Sequence, residues 1–147
     1  MKYSTKVSDA VHILAFISLN PVDSLSSERI AKSVCTNPSY VRQLMSALRK
    51  YGLLLSVKGH PRPELAKQPG EITLLDVYKA VEKDKPLLHL DTHTNPDCGV
   101  GVQIQLSLQD YFHQVQQSAE QEMERITLQD ILDRYQERLS HLRETAE

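Results

Sequence analysis

The chain has 147 residues, a net charge of −2 at pH 7 and 40% hydrophobic residues, enough for one domain, or one domain with an appendage. No apolar run reaches the length of a membrane span, and the opening MKYSTKVSD lacks the basic and apolar blocks of a signal peptide. A membrane role is therefore not expected, and two cysteines without an export signal point to a reducing cytoplasm.

Residues 4–19 are apolar over most of their circumference, including Val7, Ala10, Val11, Ile13, Leu14, Phe16 and Ile17. Such a helix is central to the packing, with His12 as a core or boundary histidine, and Asn20-Pro21 ends it. Residues 26–34 predict a short second helix with Ile30, Ala31 and Val34 apolar. Only Cys35, Thr36 and Asn37 then intervene before a third helix over 37–50. Asn37 suits the N-cap, Pro38 the first helical position. Val41, Leu44, Met45 and Leu48 fall at i, i+3, i+4 and i+7 and form one buried stripe. The opposite face carries Ser39, Tyr40, Arg42, Gln43, Ser46, Arg49 and Lys50, with no carboxylate. That pattern is a helix-turn-helix whose second helix can enter a major groove; an ordinary amphipathic hairpin has the same spacing.

Charge distribution favours the first reading. Residues 1–70 contain ten Lys and Arg against four Asp and Glu, whereas residues 71–147 contain seven against fifteen. A basic half bearing the motif and an acidic half elsewhere suit a DNA-binding head with a solvated body.

Gly52 is placed to end the third helix in the left-handed conformation. Residues 53–57 predict a strand, Lys58, His60 and Arg62 lie in a turn rich in cations, and residues 64–67 return. This makes a wing whose prolines render the hairpin short or irregular. Thr73 with Asp76 and Thr127 with Asp130 repeat one start signal, a capping-box variant with apolar residues before and after. They open helices running to about Val81 and towards Leu142, and shared capping physics explains the echo without a duplication. Between them lies a loop with two prolines and little periodicity, then a helix over 102–125 with Ile104, Leu108, Tyr111, Phe112, Val115 and Met123 apolar. So narrow a stripe on so long a helix fits a second copy across a two-fold axis. The expected architecture is mainly α with a small β-hairpin. Residues 1–82 form a winged helix-turn-helix head, 83–101 a sensor-like loop and 102–147 the dimerisation helices.

With these pieces placed, the chain resembles the Rrf-two family of bacterial winged-helix regulators, which includes the iron–sulfur cluster regulator. The likeness rests on YSTKVSDAVHILAFIS, SSERIAKS, PSYVRQLMSALRKYGLL, SVKG and EITLLDVYKAVE, and covers roughly residues 1–125. It implies a homodimer, usually a repressor, on double-stranded DNA. By that resemblance Ser39, Arg42 and Gln43 face bases, and Lys58 stands where the family has a wing arginine. Arg42 replaces an acid of the cluster regulator, so the operator should differ. The wing HPRPEL departs from the family's glycine-rich wing. Cluster-binding members have three cysteines in the loop, where this chain has only Cys98, so no iron–sulfur cluster or other cofactor is expected.

Cys98 precedes the long helix, where a helix N-terminus raises thiol reactivity and Asp97 opposes it. Cys35 lies in the turn feeding the third helix. Oxidation joining Cys35 to Cys98, within or between subunits, would tilt that helix; the plainer alternative is a small core residue and an incidental thiol. A metal site from His89, Asp91, His93 and Cys98 matches no strong template. The expected function is a sequence-specific DNA-binding regulator; the competing class is a winged helix kept as a protein-interaction scaffold. Neither a nucleophile elbow nor a phosphate loop nor paired acids suggest catalysis.

Overall fold

The computed structural model describes residues 3–20, 25–55 and 63–146. Among them are six α-helices: α1 (Lys6–Leu19), α2 (Ser27–Val34), α3 (Pro38–Lys50), α4 (Leu74–Glu82), α5 (Gly99–Arg125) and α6 (Leu128–Thr145). α1 is central as its greasy sequence requires. Ala10, Ile13, Leu14 and Ile17 are buried, and the helix packs on α2, α3, α4 and α6. Ile30 of α2, Val41 and Leu48 of α3, and Leu53 and Ile72 beyond it complete the fully buried set. His12 sits at the boundary, its Nε2 2.9 Å from Ser33 Oγ on α2.

The helix ends are closed by the residues expected to close them. Gly52 has φ 87°, its N–H donates to the Arg49 carbonyl, and the Leu53 N–H donates to the Leu48 carbonyl. This pair of bonds satisfies carbonyls that α3 would otherwise leave orphaned, and it turns Leu53 straight into the core.

The expected β-hairpin is not confirmed. Where the hairpin was expected, the described residues form a single antiparallel bridge, Leu54 with Leu65, bounded by Leu55 N–H to the Glu64 carbonyl and Ala66 N–H to the Leu53 carbonyl. Pro63, next to Glu64, has no N–H to offer a ladder. Lys58, His60 and Arg62, at the expected wing tip, lie outside the described residues.

Both threonine caps form. The Thr73 hydroxyl accepts from Asp76 N–H while the Asp76 carboxylate accepts from Thr73 N–H, each at 3.0 Å. Thr127 and Asp130 make the same exchange at 3.1 and 2.9 Å. The two starts also pair with each other: Leu74 N–H donates to the Ile126 carbonyl and Leu128 N–H to the Ile72 carbonyl, both at 2.8 Å. Leu128 and Leu132 thereby enter the core of the head. The start of the C-terminal helix is thus packed against the N-terminal core. Thr73→Ala should cost about 1 kcal/mol by removing one cap acceptor, read as a lower midpoint in urea unfolding with unchanged slope.

α5 is different in kind, since none of its residues is buried. One side carries half-buried Leu108, Phe112, Gln116, Glu120 and Met123 and packs on α4. On the other, Val100, Ile104, Tyr111 and Val115 are 74, 58, 64 and 49% exposed.

Candidate nucleic-acid interface

The candidate interface is built by α2, its turn and α3. Ser26 Oγ accepts from Arg29 N–H at 3.2 Å and starts α2. Cys35 ends it in the left-handed conformation, φ 63° and ψ 49°, and Thr36 N–H reaches back to the Ala31 carbonyl. That conformation is uncommon for a residue with a side chain, and it reverses the chain within three residues. Asn37 Oδ1 then accepts from Tyr40 N–H at 2.8 Å and opens α3, with Pro38 in its first turn.

Val41, Leu44, Met45 and Leu48 are all buried as their spacing predicts. That burial fixes the rotation of α3 and turns Ser39, Arg42, Gln43, Arg49 and Lys50 to the exterior, with Ser46 half-buried among them. At 3.6 residues per turn these six occupy roughly a third of the circumference. No carboxylate of α3 interrupts the arc.

Two partners of this face have no local sequence signal. Arg42 Nη1 lies 3.7 Å from Glu28 Oε1 on α2, and both side chains are mostly exposed. Such a solvated pair is weak, so Glu28 holds Arg42 near the interface without locking it. Tyr40 departs from the exposed face expected for it: it is half-buried, and its hydroxyl donates to Asp9 Oδ2 on α1 at 3.1 Å. Burial, followed by the Asp9 hydrogen bond and charge, raises the Tyr40 pKa, so the phenol stays a neutral donor. Tyr40 therefore fastens α3 to α1. Asp9 also accepts from Thr5 Oγ1 at 3.1 Å.

The similarity to known proteins agrees with this geometry. The family model for Rrf2, described as an iron-dependent transcriptional regulator, matches residues 3–134. The chain belongs to the Rrf2 family. It is 40% identical over 130 residues to YwnA of Bacillus subtilis (strain 168), named as an HTH-type transcriptional regulator, covering 88% of this chain and 96% of that protein. A crystal structure described as that of a DNA-binding protein is 38% identical and superposes with a TM-score of 0.71, covering 86% of this chain and 98% of the other. IscR of T. potens, at 25% identity and a TM-score of 0.65, covers 92% and 88%. The chain is thus a member of a family of transcriptional regulators with a DNA-binding fold, and not of an enzyme family. No helix among the described residues is long and apolar enough to cross a membrane.

The family description raises the question of iron, which the donors among the described residues do not fit. Among the described residues no three His, Cys, Asp or Glu side chains gather into a set that could hold a metal ion. His89, Asp91, His93 and Cys98 are all described and do not gather into such a set. Asp91 instead turns back on its own loop, accepting from His93 N–H at 2.8 Å. Cys98 is the N-cap of α5, with Sγ 3.4 Å from the Gly101 N–H. Cys98 and Cys35 are both free and exposed.

The loop before α5 is anchored to that helix by Gln116, which periodicity does not single out. Its Oε1 accepts from Leu87 N–H at 2.9 Å, and its Nε2 donates to Tyr78 Oη at 3.1 Å. The Tyr78 hydroxyl in turn donates to the Lys85 carbonyl.

Proposed function

We propose that this Rrf2 protein is a sequence-specific DNA-binding repressor that works as a homodimer, without an iron–sulfur cluster, and responds to thiol oxidation. The single observation that carries the reading is the carboxylate-free arc of α3. Its hydrogen-bonding and cationic side chains stand outward on a helix whose other side is locked into the core. Ser39, Arg42 and Gln43 are assigned to base edges, Ser46, Arg49 and Lys50 to phosphates and their surroundings. Lys58, His60 and Arg62 are assigned to the DNA flanking the groove. Tyr40 is assigned a supporting role, because its hydroxyl is engaged by Asp9.

The exposed stripe of Val100, Ile104, Tyr111 and Val115 supports the dimer. These residues repeat at intervals of four and seven along one side of α5, and a second copy would cover them by two-fold symmetry. Replacing Ile104 and Tyr111 together by glutamate should convert the dimer to a monomer in sedimentation equilibrium and strip operator binding with it. A wild-type monomer at the same concentration would end this part of the proposal.

Exposure of both thiols supports the redox reading. Two thiols and one hydrogen peroxide give one disulfide and two waters, and a bond at Cys35 strains the turn that orients α3. The decisive experiment is selection of bound duplexes from a random pool, with and without reductant. One enriched motif, bound differently in the two arms, is the expected outcome. No enrichment overturns sequence-specific binding; a motif bound identically in both arms overturns only the thiol switch.

A further inference from the structure

A hollow of about 890 Å³ lies where α4, α5 and the loop after α4 meet, and the C-cap residue of α3, Tyr51, forms part of its wall. Sites for small ligands usually span ~300–1,000 Å³ and combine an apolar lining with a few polar groups, often at the junction of two structural parts. We propose that this hollow binds an aromatic monoanion, such as a ring carboxylate or sulfonate, and reports its occupancy to α3.

The lining fits that chemistry. Tyr51, Phe112 and Leu88 supply flat or apolar surface. Lys79 is matched by Glu120 at 3.5 Å, which leaves Lys83 and Lys85 against Asp84. One surplus cation suits one negative charge, while Asp84 and Glu120 disfavour a dense polyanion. His89 and His113 add ring nitrogens to the same wall.

Three independent features make the hollow a formed site. Gln116 and Tyr78 hold the loop wall in place through the Leu87 N–H and the Lys85 carbonyl. Lys83 has φ 57°, a conformation that side chains rarely adopt and that collects at ligand clamps. The hollow's α5 residues Gln109, Phe112, His113, Gln116 and Glu120 follow each other by threes and fours on the side away from Val100, Ile104, Tyr111 and Val115. A two-fold partner on that stripe leaves the hollow open. Because Tyr51 closes α3 one residue after Lys50, a ligand packed on Tyr51 acts on the end of the helix that carries Arg49 and Lys50. This last step rests on the DNA-binding function proposed above; the binding site itself does not.

The chain has no tryptophan, so Tyr51→Trp installs a single indole in the wall. Titrating this variant of the whole chain with anilinonaphthalene sulfonate should give saturable energy transfer at one site per chain. Lys85→Glu should lower that affinity about tenfold, as expected for loss of one charged contact. Lys83→Gly should lower it too, while raising thermal stability by releasing the strained backbone. The neutral analogue N-phenylnaphthylamine should bind more weakly than the sulfonate. Equal affinity for the neutral analogue, or full affinity in both lysine variants, overturns the site. Saturating probe should change duplex affinity about fivefold or more in the wild type and leave Lys85→Glu unmoved. No change in the wild type overturns the link to α3. Failure of the unliganded protein to bind any duplex overturns the DNA-binding function instead, and leaves the energy-transfer result standing.

Discussion

Arg42→Ala should shrink the gap between operator and random duplexes by about 1–3 kcal/mol, the discrimination carried by one good bidentate contact to guanine. Arg42 stands on the exposed arc of α3, held loosely by Glu28 at 3.7 Å, so it can leave that carboxylate for a base edge. Lys50→Ala should behave otherwise. Lys50 is exposed at the last turn of α3 and is the residue assigned above to phosphate. Its loss should weaken every duplex by a similar factor and reduce the slope of log affinity against log salt by about 1. Fluorescence anisotropy on both duplexes over a salt series separates the two. If both variants lose specific and random binding in the same proportion, the assignment of Arg42 to bases is wrong.

Leu48→Ala should have the largest effect on stability, about 2–5 kcal/mol. Leu48 is fully buried, and its carbonyl accepts the Leu53 N–H in the cap of α3, so the surrounding backbone has little freedom to collapse into the cavity. Urea unfolding followed by circular dichroism measures the loss. Under conditions where the variant remains folded, duplex affinity should stay near that of the parent, because Leu48 faces away from the arc. A variant as stable as the parent would show that α3 is not seated on the core in this way.

Features whose partners lie close together in the sequence were legible in it, and those whose partners lie far apart were not. α3 was legible because its four buried residues repeat within two turns, and its cap and its terminating glycine are adjacent to it. Thr73 with Asp76 and Thr127 with Asp130 were legible for the same reason, since each box closes within four residues. What escaped was contact between distant segments. Asp9 takes the Tyr40 hydroxyl from 31 positions away, and Gln116 catches Leu87 from 29, and neither leaves a trace in local periodicity. Cys35 escaped for another reason: glycine or asparagine is the usual signal for a left-handed residue, and here a cysteine adopts it. Periodicity therefore gave the outward face of α3, but it could not show that Asp9 draws Tyr40 partly away from that face.

The back-to-back starts of α4 and α6 fasten the polypeptide into a closed loop, like a clasp joining the two ends of a strap. An N-terminal fragment lacking α6 should consequently be less stable than the whole chain. A chain ending before Ile126 would leave Leu74 N–H and the Ile72 carbonyl without their partners, and would uncover the greasy patch that Leu128 and Leu132 now seal. Fusions and deletions intended to separate reading from assembly must spare this tail.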